Sequence, residues 1–173
     1  MQTLKNICKE LLIPDQLNSY VWDIDLESLK SNNIDYLFID LDNTLLSNYQ
    51  RNISLQHKNW VQKCKDIGFE VFLVSNNRSK KRVQRAAEQL SCHAIYLSMK
   101  PFTFGVTQLA EKFNIDLTKT AMIGDQILKD VVVAKWLKMT AILVDPIDKS
   151  LPLFHQLQRS FEQYCLKQLS DVS

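Results

Sequence analysis

The chain lacks paired cysteines, long apolar runs and a strong net charge. Its four cysteines stand far apart and form no Cys-x-x-Cys pair, so neither a disulfide framework nor a zinc site is indicated, and a cytoplasmic setting is expected. No apolar stretch reaches the roughly 20 residues that span a bilayer, and the N-terminus lacks a signal-peptide pattern. Because the net charge is only +2, nucleic acid is not expected as a partner.

The composition is that of an ordinary globular domain. The chain has 173 residues, of which 46% are hydrophobic and 23% charged, which suits one domain with a substantial core. We expect a single domain over 1–173, with its core at about 34–145 and amphipathic helices at 1–13 and 151–169. Each terminal helix could pack on protein or lie on a membrane surface.

Short apolar runs alternate with amphipathic segments through the middle of the chain. Five strands are predicted, at 35–40, 70–74, 93–97, 121–123 and 140–144. Helices are predicted between them, at 54–67, from Arg78 onward, at 101–113 and at 126–137. This alternation predicts an α/β fold, a three-layer Rossmann-like parallel sheet of about five strands with helices on both faces. All strands of such a sheet end at one edge, where open α/β sheets bind ligands.

Residues suited to phosphoryl transfer follow these strands. Asp40 and Asp42 end the first strand, and Asp40 is the candidate nucleophile that would form an aspartyl phosphate. Asp42 would protonate the leaving oxygen and then deprotonate the attacking water. Because two adjacent carboxylates repel each other, Mg²⁺ is the expected cofactor, held by Asp40, the backbone carbonyl of Asp42 and Asp125.

The other candidates would bind phosphate or support the metal site. Lys100 would neutralise charge that develops as the bond to the leaving group breaks. Asp130 would orient a metal-bound water or Lys100 from the second layer of contacts. The expected phosphate-binding set is Thr44, Ser75, Asn76, Asn77, Arg82 and Lys100.

Together these motifs resemble those of the haloacid dehalogenase superfamily of phosphatases. The stretch from Asp40 to Thr44 is similar to its first motif, Ser75 to its second, Lys100 to its third, and Gly124-Asp125 through Asp130 to its fourth. A narrower likeness is to the YqeG subfamily, which is related to mitochondrial phosphatidylglycerophosphate phosphatases. The likeness rests on Trp22-Asp23-Ile24-Asp25, Ser75-Asn76-Asn77, Arg82-Val83, Lys100-Pro101 and Gly124-Asp125-Gln126. It implies a phosphatase that makes phosphatidylglycerol from phosphatidylglycerophosphate, a step of phospholipid synthesis.

The spacing of the motifs leaves no room for a large cap domain. About 30 residues separate Asp42 from Ser75 and about 25 separate Ser75 from Lys100, and the predicted elements use nearly all of them. An open site suits a phosphate on a large carrier, such as a lipid headgroup in a bilayer. The basic helix from Arg78 to Arg85 could attract an anionic membrane surface, so a peripheral membrane location is expected.

Two other readings of the sequence remain open at this point. The first is a phosphatase for a soluble phosphorylated sugar or a nucleic-acid end. The second is a non-catalytic binding module, which the presence of both Asp40 and Asp42 disfavours because a scaffold gains nothing from two costly carboxylates.

Overall fold

A computed structural model of the protein describes residues 10–148. Six strands form one sheet in which every neighbouring pair is parallel, in the spatial order β1-β6-β5-β2-β3-β4. The strands are β1 Gln16–Asn18, β2 Tyr36–Ile39, β3 Glu70–Val74, β4 His93–Ile95, β5 Thr120–Gly124 and β6 Thr140–Val144. The predicted α/β fold with a parallel sheet is confirmed, and the sheet has one strand more than the five expected.

Five α-helices connect the strands, and three of them begin at a polar side chain that accepts a hydrogen bond from the first turn. They are α1 Leu26–Ser31, α2 Leu55–Asp66, α3 Lys80–Leu90, α4 Phe104–Phe113 and α5 Val132–Trp136. The caps are Asp25, Ser54 and Ser79, which accept from backbone N–H groups at 2.9, 3.3 and 3.3 Å. Such caps satisfy donors that have no partner within the helix, so they fix where each helix starts.

The two faces of the sheet bury separate apolar clusters. Side chains of β2 alternate between them, with Leu37 and Ile39 in one cluster and Phe38 in the other. The first cluster includes Val61 and Val83 from α2 and α3, whereas the second packs against α4 and α5. This is the three-layer arrangement that the alternating pattern predicts, because both faces of a parallel sheet must be covered.

Two predicted helices begin later than expected. α4 starts at Phe104 rather than at residue 101, because β4 already ends at Ile95 and the residues between them form a loop. The helix predicted at 126–137 opens with a single π-helical turn, Ile127–Val131, before α5. The predicted terminal helices lie outside the described residues except for 10–13, of which 10–12 are helical.

The strand order reverses at β2, which is the topological switch point of the sheet. From β2 the chain moves outward through β3 and β4, then returns to β5 on the other side of β2 and continues to β6. The backbone N–H of Asp40 donates to the carbonyl of Ile123 at 2.8 Å, which fixes the two strand ends side by side. Ligands of open α/β sheets bind at such a point.

Between residues 10 and 148, no inserted domain interrupts the strand–helix alternation, so the predicted absence of a large cap is confirmed there. None of the helices in that range is long and apolar enough to cross a membrane.

Candidate active site

A buried lysine joins two aspartates at the carboxyl end of the sheet. The ammonium Nζ of Lys100 lies 2.7 Å from Oδ1 of Asp40 and 2.7 Å from Oδ1 of Asp130. It also donates to the carbonyl of Val74 at 2.6 Å. Lys100 and Asp130 are 3% and 2% exposed, so the ion pairs are shielded from water. The structure therefore places Lys100 in contact with the candidate nucleophile, as the convergence of strand ends predicts. Asp130 forms a second ion pair with the same lysine.

Burial dominates the electrostatics of this cluster. Burial raises the pKa of Asp40 to about 7, against the opposing effect of Lys100 and with further increases from Asp130 and Asp42. Burial alone would lower the pKa of Lys100, but the carboxylates of Asp130 and Asp40 outweigh it and raise that pKa above its ordinary value. The lysine thus stays charged, and two carboxylates share one cation. Such a site favours an additional cation.

Asp42 has a different environment from Asp40. Its Oδ1 accepts from Nε of Arg82 at 2.9 Å, and its Oδ2 accepts from Nδ2 of Asn77 at 2.9 Å and from Oγ of Ser75 at 3.4 Å. Its side chain is 24% exposed. One acid is thus buried against a lysine and the other faces solvent in a polar network, an arrangement that allows two carboxylates to have different roles.

Arg82 contacts protein groups with three of its nitrogens. Besides Nε on Asp42, Nη1 donates to the carbonyl of Gln50 at 2.7 Å and Nη2 to that of Ser47 at 2.9 Å. The sequence predicts phosphate binding by this residue, whereas these contacts favour a positioning role in which Arg82 fixes Asp42 and the 47–50 loop.

Replacing Arg82 with lysine distinguishes the two roles. If Arg82 positions Asp42, kcat should fall about 10-fold to 100-fold while KM stays unchanged, because a lysine cannot reproduce three directed contacts. Arg85→Lys is the matched control on the same helix, since Arg85 donates to Oδ1 of Asn52 and has no recorded contact with Asp42. A rise in KM with unchanged kcat would instead support direct phosphate binding.

The Asn76 side chain anchors the segment that carries Lys100. Its Oδ1 accepts from Oγ of Ser98 at 2.7 Å and from the backbone N–H of Lys100 at 2.8 Å, and its Nδ2 donates to the Lys100 carbonyl at 2.8 Å. A phosphate contact from Asn76 would therefore come from its backbone amide. Gly105 packs against this segment without a side chain, because a Cβ there would lie only 2.4 Å from the carbonyl oxygen of Ser98.

Gly124 has a similar role beside Asp130. A Cβ at this position would lie 2.3 Å from Oδ2 of Asp130, the atom that also accepts from the N–H of Gln126 at 3.1 Å. The Gly-Asp pair that ends β5 thus leaves space for the carboxylate that holds Lys100. The sequence marks this glycine as part of a motif without indicating the contact.

Thr44 and Ser75 lie close to the acids, where the prediction puts them. Thr44 is 2% exposed, and its Oγ1 forms no hydrogen bond within the described part of the chain, so it is available to a phosphate oxygen. Ser75 Oγ accepts from the N–H of Asn77 at 3.0 Å. Asn43, which precedes Thr44, has a φ of +67°, a conformation that asparagine tolerates better than most residues.

The carboxylate and carbonyl oxygens at this edge are the type of ligand that Mg²⁺ prefers. Asp125 follows β5 directly and is 3% exposed, beside the strand end that bears Asp40. Among residues 10–148, no group of three or more His, Cys, Asp or Glu side chains is arranged to hold a metal. The expected set would therefore be the carboxylates of Asp40 and Asp125 with the Asp42 carbonyl, completed by water or phosphate, which is how Mg²⁺ is usually bound.

An aromatic wall beside Thr44 is not predicted by the sequence analysis. Trp22 stacks on Tyr20 with ring centroids 4.8 Å apart and meets His57 edge-on at 5.3 Å. These three residues and Thr44 line a cavity of about 290 Å³. In the sequence, Trp22 appears only as part of a subfamily motif, and aromatic spacing alone could not place it beside Thr44.

Comparisons with known proteins agree with the fold. Residues 37–100 match the family described as haloacid dehalogenase-like hydrolase, and residues 98–146 match the family described as HAD-hydrolase-like. The protein named "Probable phosphatase YqeG" of Bacillus subtilis (strain 168) is 29% identical over 161 residues, which is 93% of each chain.

Solved structures share the fold. A crystal structure of a protein from Listeria monocytogenes serotype 4b has a TM-score of 0.56 at 19% identity, covering 69% of this chain and 86% of that one. The cobalt-bound deoxy-D-mannose-octulosonate 8-phosphate phosphatase (YrbI) of Haemophilus influenzae has a TM-score of 0.52 at 14% identity, covering 82% and 92%. At these identities the likeness concerns the fold alone.

The family matches and the likeness to YqeG indicate a phosphatase, and the parallel α/β sheet agrees with them. The two family matches meet at Lys100 and together extend from residue 37 to 146, across all four motifs. The chain is a phosphatase of the haloacid dehalogenase superfamily and is similar to YqeG along nearly its whole length. These matches favour an enzyme over a non-catalytic binding module.

Proposed function

We propose that this phosphatase depends on Mg²⁺, works through an aspartyl phosphate at Asp40 and removes the phosphate of phosphatidylglycerophosphate. The observation that carries the chemistry is the different setting of its two acids. Asp40 lies 2.7 Å from a buried ammonium group, whereas Asp42 lies in a solvent-facing network of hydrogen bonds. A nucleophile must stay in one fixed position, whereas an acid–base group must reach water.

In the first step, the Asp40 carboxylate attacks phosphorus. Because Lys100 contacts Oδ1, attack would come from the other oxygen, and the new P–O bond forms as the bond to the leaving oxygen breaks. Asp42 gives its proton to that leaving oxygen. Lys100 neutralises charge on the reacting groups, while Asn76 and Asp130 keep the lysine in place.

In the second step, the Asp42 carboxylate takes a proton from water, and the resulting oxygen attacks the phosphorus of the aspartyl phosphate. The bond to Asp40 breaks, inorganic phosphate leaves, and both aspartates return to their starting states. Thr44 and Ser75 could donate to phosphate oxygens in both steps. Asp40, Asp125 and the Asp42 carbonyl would hold Mg²⁺, which would supply positive charge to the reacting phosphate.

Two features support a lipid-borne substrate. No cap covers the site within residues 10–148, so a headgroup at a bilayer surface could reach Asp40 without leaving the membrane. The second is the resemblance of the motifs around Trp22 and Arg82 to the YqeG subfamily, which implies phosphatidylglycerophosphate rather than a sugar phosphate as substrate.

The test is phosphate release from a panel of substrates in parallel. The panel contains phosphatidylglycerophosphate in mixed micelles, a phosphorylated sugar acid, other sugar phosphates and 3′- and 5′-phosphorylated oligonucleotides. We expect release from the lipid at a kcat/KM at least tenfold above the rest, loss of activity with chelator and recovery with Mg²⁺. Release confined to sugar phosphates or to oligonucleotides would replace the proposed substrate with that class.

A further inference from the structure

The loop between β4 and α4 and the first residue of α4, here together called the 96–104 loop, expose apolar side chains next to the candidate catalytic lysine. Ser98 and Lys100 point inward and are 0% and 3% exposed. The residues around them point outward, and the exposed fractions of Leu97, Met99, Phe102 and Phe104 are 44%, 53%, 65% and 67%. Four large apolar side chains within eight residues, two on either side of Lys100, therefore face solvent.

Backbone hydrogen bonds to the segment after β3 hold the loop in this conformation. The N–H of Ser98 donates to the Ser75 carbonyl at 2.9 Å, and the N–H of Leu97 donates to the Asn77 carbonyl at 3.2 Å. Leu97 and Met99 have φ values of +52° and +60°, a left-handed conformation that glycine or asparagine adopts at lower cost. About half of each of these two apolar side chains still faces solvent although its backbone is in a strained conformation, which indicates an external contact.

Positive charge lies beside the apolar side chains. Arg78, Lys80 and Lys81 are exposed at the start of α3, whose first turn contains no acidic residue. Nζ of Lys80 lies 5.9 Å from the ring centroid of Tyr96, which ties this basic group to the loop. Apolar side chains bordered by cations fit the interface of an anionic bilayer, where rings enter the headgroup region and ammonium groups meet lipid phosphates.

We propose that the 96–104 loop and the basic start of α3 dock the protein on an anionic bilayer. The inference deepens the proposed function, on which it rests for the lipid-borne phosphate that would then lie within reach of Asp40. A second copy of the chain fits the surface less well. A twofold contact in which Arg78, Lys80 and Lys81 of the two copies met would place like charges across the interface, which is unfavourable.

The test is sedimentation of the full-length protein with vesicles that contain no phosphomonoester. At low salt, we expect binding to vesicles of equal phosphatidylglycerol and phosphatidylcholine, and at least tenfold weaker binding to pure phosphatidylcholine. Phe102→Ser/Phe104→Ser should weaken binding to the anionic vesicles at least tenfold. Trp136→Gln is the matched control and should bind normally, because Trp136 is 50% exposed at the end of α5, next to the opposite edge of the sheet.

Two further measurements make the outcome decisive. Hydrolysis of p-nitrophenyl phosphate by the double variant should match that of the parent, which shows that a loss of binding is not a loss of folding. Equal vesicle binding by parent and double variant, or no binding by the parent, would overturn the docking surface. A dimeric parent that becomes monomeric in the double variant would assign the surface to a second copy. Because the vesicles carry no substrate, failure of the substrate assignment leaves this result unaffected.

Discussion

Replacing Asp40 with asparagine should abolish activity and, in the presence of a chelator, stabilise the protein. Asparagine cannot form the aspartyl phosphate, so kcat should fall by on the order of 10⁴ or more. The free energy of unfolding should instead increase, because the buried carboxylate of Asp40 destabilises the folded state. Its pKa is raised to about 7 chiefly by burial, so keeping it ionised at neutral pH opposes folding. A neutral amide of the same shape removes that cost.

The stabilisation should depend on pH with a defined sign. A carboxyl group with a raised pKa in the folded state contributes stability while it is protonated. That contribution is complete below the unfolded value of 3.8 and is lost as the pH rises through about 7. The variant has no such loss, so its advantage over the parent should grow from pH 5 to pH 8 by up to about 3 kcal/mol. Urea unfolding with chelator at each pH measures it.

Asp42→Asn is the matched control for Asp40→Asn. It should also lose activity, by about 10²-fold to 10⁴-fold, because it removes the acid–base group. Its stability should not increase, since the Asp42 side chain is 24% exposed and already paired with Arg82 at 2.9 Å. A similar gain in both variants, or no pH dependence for Asp40→Asn, would contradict the electrostatic account of the buried cluster.

The strands and the site residues at their ends are the part of the protein that the sequence predicts well. Leu37, Phe38 and Ile39 form an uninterrupted apolar run because β2 is buried on both faces, and such a run ends only where the strand leaves the core. Asp40 follows immediately. Once the strands are parallel, their ends must meet, so Lys100 and Asp125 could be assigned to the same edge as Asp40 without any structure.

Elements fixed by distant contacts could not be predicted in this way. β1 has only three residues, two of them polar, and exists because Gln16, Leu17 and Asn18 pair with the exposed edge of β6. The 96–104 loop has an apolar sequence that suggests continuation of a strand or an early helix. Hydrogen bonds to Ser75 and Asn77, about twenty residues away, determine its conformation instead.

The contacts of the polar side chains that support the site could not be predicted from the sequence either. Arg82 reaches Asp42 across 40 residues of sequence, and Asn76 reaches Lys100 across 24. A basic residue and an amide near a phosphatase motif suggest phosphate binding, because sequence spacing says nothing about which acceptor a long side chain will meet. The structure shows that both side chains instead contact candidate catalytic residues, Asp42 and Lys100.

The second large effect is expected for Lys100→Met. Within residues 10–148, Lys100 is the only cation within hydrogen-bond distance of Asp40 and Asp130, and this substitution removes it. Two buried carboxylates would then face each other, so unfolding in chelator at pH 8 should become easier by about 3–5 kcal/mol. Activity should fall by about 10²-fold to 10³-fold, because charge in the transition state loses a fixed donor.

A second substitution separates charge from packing in this prediction. Lys100→Met/Asp130→Asn removes one of the two carboxylates, so it should recover a substantial part of the lost stability while activity stays low, since the lysine is still absent. Lys30→Met is the surface control. Lys30 pairs with Asp35 at 3.1 Å, but these side chains are 25% and 47% exposed, and such pairs contribute at most about 1 kcal/mol. If the double variant were as unstable as Lys100→Met, packing of the lysine stem rather than its charge would explain the loss.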